Sequence, residues 1–242
     1  MATLDEGQAA SGLLIVSGGN ELRSGPWSGQ AQLAERIAKA GYPVFRFDRR
    51  GVGDSEGPNG EFRSSGPDIA AALTAFRNAC PHVSRIAVMG NCDAASALLL
   101  TGGAGCDAVI LSNPWTIADE TAAPPPEALR GHYRQRLADP AALKRLLRGE
   151  VKLSALFASL LGAFKHAPPP SGLAQEMAAG IARFAGPVSF LIASRDRTAQ
   201  SFLAAWKKGD PRIQLCEGAS HSFVEPDARE WLLERVLEVL RA

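Results

Sequence analysis

Short runs of branched and apolar residues alternate along the chain with longer segments of helical periodicity. Each apolar run is bounded by glycine or polar residues and has the length of a buried strand. The predicted strands are Leu13–Val16, Tyr42–Asp48, Ile86–Met89, Ala108–Leu111, Val188–Ala193 and Ile213–Cys216. The predicted helices cover residues 27–40, 66–79, 94–100, 198–207 and 226–241. This alternation predicts an α/β fold with a mostly parallel sheet and flanking helices.

The alternation stops between residues 113 and 185, where segments of helical pattern lie between two proline triplets. We therefore predict a helical cap at 113–185, inserted into a core domain formed by residues 1–112 and 186–242. Lys and Arg outnumber Asp and Glu between residues 127 and 166. That excess fits either a solvated helix face or an electropositive lid over an anionic substrate.

The stretch from Arg85 to Leu100 combines a strand, a sharp turn and a helix. The apolar run ends at Gly90, and strong helix formers begin at Ala94. These small residues, two before and two after Cys92, would let the strand and the helix approach closely, as in a nucleophile elbow. The spacing therefore predicts Cys92 as the nucleophile of an acyl-transfer enzyme. A cysteine in such a protein is otherwise commonly a small buried hydrophobe, and we interpret the other three in that way.

A second stretch matches the serine form of the elbow more literally. Gly53–Gly57 has the spacing G-x-S-x-G, with Ser55 at its centre. No strand leads straight into it, however, and Pro58 follows where a helix should begin. We interpret it as a glycine loop that closes one wall of the site and keep Ser55 as the alternative nucleophile.

An acid and a histidine follow the last two predicted strands. Asp196 comes just after one strand and His221 just after the other, so the order along the chain is Cys92, Asp196, His221. A thiol needs a base to take its proton, and the imidazole needs a carboxylate to orient it, so this order predicts a catalytic triad. Asp196 could instead cap the helix near Thr198. Asp48, also at a strand end, is the second candidate for the acid.

A glycine-rich turn, Ser17–Asn20, directly follows the first predicted strand. Backbone N–H groups at the carboxyl edge of an open sheet are available to ligands. We predict that the backbone N–H groups of Gly19, Asn20 and Asp93 form an oxyanion hole, with a plain strand-to-helix turn as the alternative.

Composition narrows the class of protein. The 242 residues carry a formal net charge of +1, which gives no reason to expect a nucleic-acid partner. Four cysteines without C-x-x-C spacing argue against a zinc site and a disulfide framework and favour a reducing compartment. We see neither a secretory signal nor an apolar run of the roughly 20 residues that span a bilayer. We therefore expect a cytoplasmic protein without metal or cofactor.

Two segments carry a family resemblance. From Leu13 onward the chain resembles the α/β-hydrolases, and Arg46–Gly57 and Asn91–Ala97 are similar to the exosortase A system-associated hydrolase type 1 family. The resemblance implies a bacterial setting of exopolysaccharide production and protein sorting. The cysteine triad also resembles dienelactone hydrolases, in nucleophile type and order only. Because only about a dozen residues precede Leu13, we expect the N-terminal hairpin of the fold to be short or absent.

Three hypotheses for function follow. The leading one is a hydrolase that cleaves an ester, thioester or lactone through an acyl-enzyme on Cys92. The second is an acyltransferase that passes the same acyl group from a small-molecule substrate to an acceptor such as a sugar. The third is a binding protein that keeps the fold without the activity, because fold alone does not imply function.

Overall fold

The computed structural model describes residues 1–117 and 172–242, which form one sheet covered by helices on both faces. The strands are β1 (Ala2–Asp5), β2 (Ser11–Val16), β3 (Val44–Phe47), β4 (Arg85–Asn91), β5 (Ala108–Ser112), β6 (Val188–Ala193) and β7 (Ile213–Cys216). The α-helices are α1 (Gly29–Lys39), α2 (Gly66–Ala79), α3 (Asp93–Leu100), α4 (Gly172–Ile181), α5 (Arg197–Ala205) and α6 (Pro226–Arg241). Short 3-10 turns occur at Pro26–Ser28, Phe62–Ser64 and Gly102–Gly105.

The strands lie in the order β1-β3-β2-β4-β5-β6-β7. Strand β1 runs antiparallel to β3, and all the other neighbours are parallel. The predicted α/β fold with a mostly parallel sheet is therefore confirmed. All six predicted strands are present, with ends that differ by at most a few residues.

Residues on alternate positions of each strand supply two separate cores, one on each face of the sheet. On β2, Leu14 and Val16 pack in the core beneath α2 to α5, whereas Leu13 and Ile15 pack in the core beneath α1 and α6. Strand β5 is buried along its whole length. This double burial explains why the parallel strands appear in the sequence as uninterrupted apolar runs rather than as alternating patterns.

The chain reverses its direction of strand addition between β2 and β4. From β2 it crosses to β3 on one side, then returns to add β4 on the other side. A crevice forms outside the carboxyl ends of two strands at such a switch point, and ligands bind there in open α/β sheets. The turn after β2 and the turn after β4 therefore face each other across this crevice.

Strand β1 is the element that sequence patterning missed. It is four residues long, lies at the edge of the sheet, and is half-exposed, so its sequence has no apolar run to reveal it. Its register with β3, which pairs Ala2 with Phe47, is a long-range contact. Our expectation concerned an N-terminal hairpin that is short or absent, and the structure has a four-residue strand here that pairs with β3 rather than with β2.

The predicted cap falls mostly on residues 118–171, outside the described part of the chain, and it stays a prediction. Helix α4 lies within the predicted cap range. Its residues Leu173, Met177 and Ile181 are buried and belong to the same core as Leu98 and Leu99 of α3. Helix α4 is therefore packed on the sheet domain through α3.

Candidate active site

Cys92 lies at the apex of the turn between β4 and α3. Its backbone angles are φ 60° and ψ −125°, a conformation that L-residues rarely adopt and that costs of order 1–3 kcal/mol. The turn is held by the Cys92 N–H, which donates to the Ser112 carbonyl at 3.0 Å, and by the Cys92 carbonyl, which accepts from Trp115 N–H at 3.2 Å. A Cβ at Gly90 would lie 2.7 Å from the backbone of Ala94, so the close approach of strand and helix requires glycine there.

His221 and Asp196 meet at the carboxyl ends of β6 and β7. His221 Nδ1 lies 2.9 Å from Asp196 Oδ2. The N–H is not well aligned with that oxygen, so the contact acts as an electrostatic pair rather than a straight hydrogen bond. Catalytic hydrogen bonds of unliganded sites are often poorly aligned in this way and tighten when substrate binds.

Asp196 also caps α5, which was the alternative role considered for it. Its Oδ1 accepts from Thr198 N–H at 3.3 Å and its Oδ2 accepts from Ala199 N–H at 2.9 Å. The two roles are compatible, because a carboxylate has lone pairs for several donors. The helix cap fixes the carboxylate, and the fixed carboxylate faces the imidazole.

The environment of His221 favours its charged form. The Asp196 carboxylate contributes most and Cys92 next, and together they raise the pKa of His221 to about 10 against the opposing effect of burial. The imidazole is therefore protonated at neutral pH. A positive imidazole that interacts with a cysteine side chain is the setting in which a thiolate is favoured.

Two asparagines that sequence analysis missed support the His221 loop. The buried Asn113 donates from Nδ2 to the His221 carbonyl at 2.9 Å and to Asn91 Oδ1 at 3.2 Å, and its Oδ1 accepts from Ala193 N–H at 2.8 Å. Asn91 Nδ2 lies 3.4 Å from His221 Nε2. The clue in the sequence was position alone, because each asparagine ends or directly follows a strand.

The predicted oxyanion hole contains a carboxylate of the chain itself. The Gly19 N–H donates to Asp93 Oδ1 at 2.6 Å. The side chain of Arg49, which is buried, lies 3.5 Å from the other oxygen of Asp93 and also donates to the Gly19 carbonyl and to Ser65. Gly19 and Asp93 thus lie together beside Cys92, and the Gly19 N–H is already hydrogen-bonded to the Asp93 carboxylate. The Asn20 side chain is directed to Asn59, whose Nδ2 donates to it at 2.6 Å.

Glu21 is a further acidic group beside the site. Burial is the main reason that the pKa of its carboxyl is raised, and the nearby Asp93 acts in the same direction. His221 and Arg49 oppose this shift, so all four side chains share one electrostatic environment. Sequence analysis did not single out either side chain: Glu21 belongs to no recognisable pattern, and Arg49 lies in the Arg46–Gly57 segment, whose resemblance gave it no role.

The side chains of Ser55, the alternative nucleophile, and Asp48, the alternative acid, both form hydrogen bonds that hold their loop. Ser55 Oγ donates to the Asp48 carbonyl at 2.8 Å and accepts from the Met1 amino group at 2.5 Å. The Asp48 carboxylate is buried and forms an ion pair with Arg23, whose backbone N–H also donates to it at 2.6 Å. No helix follows Ser55 directly, so it does not lie on a strand–helix elbow.

The other three cysteines differ from Cys92 in exposure. Cys80, Cys106 and Cys216 are buried, Cys92 is half-buried, and none of the four forms a disulfide. Burial raises the pKa of each buried thiol, to about 12 for Cys106.

Among residues 1–117 and 172–242, no group of three or more His, Cys, Asp or Glu side chains is placed to hold a metal ion. No helix of this part of the chain is both long and apolar enough to cross a membrane.

The mostly parallel seven-stranded sheet, with a strained strand–helix turn at its switch point, defines the class as an α/β-hydrolase fold. Sequence comparison agrees: the model of the alpha/beta hydrolase family matches residues 13–235, and the chain belongs to that family. A comparison with curated proteins finds no match.

Solved structures with the same fold include hydrolases from several organisms. An α/β hydrolase, GrgF, from a Penicillium species aligns with TM-score 0.63 and 18% identity, over 98% of this chain and 92% of that one. An esterase from Pyrococcus furiosus aligns with TM-score 0.60 and 16% identity, over 96% and 82%. A proline iminopeptidase from Mycobacterium smegmatis aligns with TM-score 0.53 and 15% identity, over 98% and 94%. At these identities the likeness establishes the fold alone.

Proposed function

We propose that the protein hydrolyses an ester, thioester or lactone through an acyl-enzyme on Cys92, with His221 and Asp196 as its partners. The observation that carries this proposal is the strained Cys92 turn beside a histidine that is paired to a buried carboxylate. The esterase among the solved structures of similar fold is consistent with this substrate class. The arrangement of the three residues in space supports the proposal, since each residue type alone is common in α/β proteins.

The first half-reaction would use the proton that His221 already holds. The Cys92 sulfur, as a thiolate, attacks the acyl carbon and forms an S–C bond, while the bond from that carbon to the leaving oxygen or sulfur breaks. His221, which is protonated at neutral pH, gives its proton to the leaving group. Asp196 keeps the ring oriented and stabilises its positive charge.

The second half-reaction would return the site to its starting state. The neutral His221 takes a proton from water, and the resulting hydroxide equivalent attacks the thioester carbon. The S–C bond breaks, the acid product leaves, and the thiolate–imidazolium pair is restored.

The oxyanion of each tetrahedral intermediate would be held by backbone N–H groups of Gly19 or Asn20 and of Asp93. For Gly19 to serve, the Asp93 carboxylate must first leave its N–H. Arg49 is already 3.5 Å from the second Asp93 oxygen and offers a place for the displaced carboxylate. The first step of productive binding would then be an exchange of hydrogen-bond partners at Gly19.

The biological setting and the fate of the acyl group are proposed from sequence. The resemblance of Arg46–Gly57 and Asn91–Ala97 supports a role linked to exosortase and exopolysaccharide systems. The unpaired state of all four cysteines supports a cytoplasmic location. Transfer of the acyl group to a sugar is the alternative outcome of the same acyl-enzyme.

The proposal is tested by comparing wild type, Cys92→Ala and Ser55→Ala on p-nitrophenyl esters and aryl thioesters of increasing acyl length. Loss of the nucleophile should lower kcat/KM by at least about a thousandfold. The kcat/KM of Ser55→Ala should stay within about twofold of the wild-type value, because the Ser55 hydroxyl forms hydrogen bonds within its loop and with the N-terminus. Mass spectrometry of a quenched reaction should find the acyl group on the peptide that contains Cys92.

Three other results would each count against the proposal in a different way. Full activity in Cys92→Ala, together with loss in Ser55→Ala, would move the nucleophile to Ser55. Turnover that requires an added alcohol or amine would favour transfer over hydrolysis. The absence of both turnover and a covalent adduct across the whole series would favour a binding protein.

A further inference from the structure

A cavity of about 310 Å³ lies on the α1/α6 face of the sheet, near the carboxyl ends of β2, β4 and β5. Its apolar walls come from both helices, from the strands beneath them and from the loop before α6: Ile15, Leu33, Met89, Phe223 and Leu232. Among the described residues, neither Cys92 nor His221 lines it. The cavity is therefore separate from the sulfur atom, although it lies at the edge of the sheet where α/β proteins bind ligands.

The strand end of the cavity is polar. Ser112 and Asn91 line it there. Ser112 is fully buried, and its Oγ has no hydrogen-bond partner in the described part of the chain. Because side chains alternate along β5, Ser112 shares a face with Ala108 and Ile110, which both pack in the α1/α6 core. A buried hydroxyl without a partner is costly, and it is a natural place for a ligand to supply one.

The charged residues of the lining, Arg36, Arg229 and Glu230, are exposed or half-buried. Arg36 is joined to Glu230 by two hydrogen bonds, of 2.8 and 2.6 Å, so these charges balance each other. Arg229 lies over the ring of Trp27 at 4.2 Å from its centroid. Trp27 is partly exposed and has a left-handed φ of 47°, which is unusual for a bulky residue. The mouth thus has a strained aromatic turn, one Arg–Glu pair and the Arg229 guanidinium, whereas the strand residues of the walls are apolar except for Ser112 and Asn91.

We propose that this cavity is a binding site for a neutral, mainly aliphatic or aromatic molecule that has one hydroxyl or carbonyl group. The apolar body would lie against Leu33, Met89 and Phe223, and the polar group would pair with Ser112 Oγ. The volume corresponds to roughly ten heavy atoms, taking ~30 Å³ for each water-sized unit. It falls at the small end of known ligand pockets, which span about 300–1,000 Å³.

The ligand is neutral because, among the described residues, neither positively charged side chain of the lining, Arg36 or Arg229, forms a hydrogen bond with Ser112. A carboxylate placed against Ser112 would be buried without a cation, which is strongly unfavourable. The occupant would also pack on the His221 loop, since Ser222 and Phe223 line the cavity directly after the histidine. The site nevertheless does not depend on Cys92 being a nucleophile.

Calorimetric titration of the full chain with octan-1-ol, and separately with octanoate, tests the proposal. Octan-1-ol should bind saturably at one site and more tightly than octanoate. Ser112→Ala should weaken binding of the alcohol about fivefold, as expected for one lost hydrogen bond. Ser201→Ala, which removes a buried hydroxyl from α5 outside the cavity, should leave it unchanged.

A second variant tests the location independently of the hydrogen bond. Leu33→Trp fills the cavity and should weaken octan-1-ol binding at least about tenfold, whereas Leu203→Trp on the surface of α5 should not. Absence of saturable binding, equal binding by Leu33→Trp, equal binding by Ser112→Ala, or tighter binding of octanoate would each overturn the proposal. Cys92→Ala should bind octan-1-ol as wild type does. The binding proposal and the proposed acyl chemistry can therefore fail independently of each other.

Discussion

The Gly19 N–H donates to Asp93 Oδ1 across 2.6 Å, joining the turn after β2 to the turn after β4. These are the two turns that should supply the oxyanion hole. A Cβ on Gly18 would come within 3.0 Å of the same Asp93 oxygen and 3.5 Å of the Cys92 Cβ. The backbone of the first turn thus lies directly against the Cys92 turn, and a carboxylate oxygen lies where the proposed oxyanion hole would hold a negatively charged oxygen of the substrate.

Removing this carboxylate should therefore increase activity. We expect Asp93→Ala to raise kcat/KM for p-nitrophenyl esters roughly tenfold, because the substrate no longer competes with a charged acceptor for the Gly19 N–H. The same change should lower the free energy of unfolding by about 1–3 kcal/mol, because the Gly19 N–H and the buried Arg49 guanidinium lose the carboxylate between them. Steady-state kinetics and urea unfolding measure the two effects.

Asp93→Asn is the matched control for that prediction. The amide oxygen can still accept from Gly19, but without the charge, so its gain should lie between wild type and Asp93→Ala. A fall in kcat/KM for both variants would show instead that the Asp93 carboxylate assists the reaction, and the exchange of partners at Gly19 would then be wrong.

The relationship between Gly19 and Asp93 also marks the limit of sequence analysis. Chain order and strand ends were sufficient to predict which turns would approach, because carboxyl ends of parallel strands share one edge of the sheet. The direction of the Asp93 side chain depends on Arg49 and Gly19, which are distant in sequence. Likewise, β1 was missed because an edge strand needs no apolar run, and the role of Asn113 was missed because its partners come from three other segments.

The ion pair of His221 predicts how stability depends on pH. Its pKa in the folded protein is about 10, raised from 6.5 chiefly by Asp196, so the folded state holds this proton more tightly than the unfolded state does. The resulting stabilisation is complete below about pH 6.5 and is lost as the pH rises through about 10. Urea unfolding across this range should show wild type losing stability relative to His221→Gln, with the difference shrinking towards pH 10.

His82→Gln controls for the general effect of replacing a histidine. His82 is exposed, and its Nε2 lies 3.0 Å from the Gly7 carbonyl, away from the Asp196 pair. This variant should follow the wild-type dependence on pH. A difference between wild type and His221→Gln that stays constant from pH 6 to 10 would mean that Asp196 does not hold the imidazole in its charged form.

The four cysteines should differ sharply in their reactivity. With limiting iodoacetamide at neutral pH, Cys92 should be alkylated at least about tenfold faster than the other three, because it is half-buried beside a positive imidazole. Burial shields Cys80, Cys106 and Cys216 and raises the pKa of each thiol. Peptide mapping by mass spectrometry gives the four rates in one experiment.

His221→Gln tests the cause of that selectivity. It should slow the alkylation of Cys92 while leaving the rates of the three buried cysteines unchanged. In urea all four cysteines should react at similar rates in both proteins. Similar rates in the folded wild-type protein would contradict the activated thiol on which the proposed function depends.

Asn113 links stability to the placement of His221. Replacement by Ala would leave the Ala193 N–H without its partner and the His221 carbonyl with only the 3.5 Å contact from Asn91 Nδ2, at about 1–3 kcal/mol for each buried group. It would also place alanine at φ 43°, a left-handed backbone conformation that asparagine adopts more readily than alanine does. We expect Asn113→Ala to lower the free energy of unfolding by about 3 kcal/mol and to reduce kcat more than it changes KM.

Asn113→Gly separates the two contributions, because glycine adopts a positive φ without strain yet also lacks the amide. It should recover part of the stability lost in Asn113→Ala but none of the lost kcat. Asn59→Ala, at an exposed asparagine, should change stability by less than about 0.5 kcal/mol. If Asn113→Gly restored kcat to the wild-type value, backbone conformation rather than the hydrogen bond to the His221 carbonyl would be what positions the imidazole.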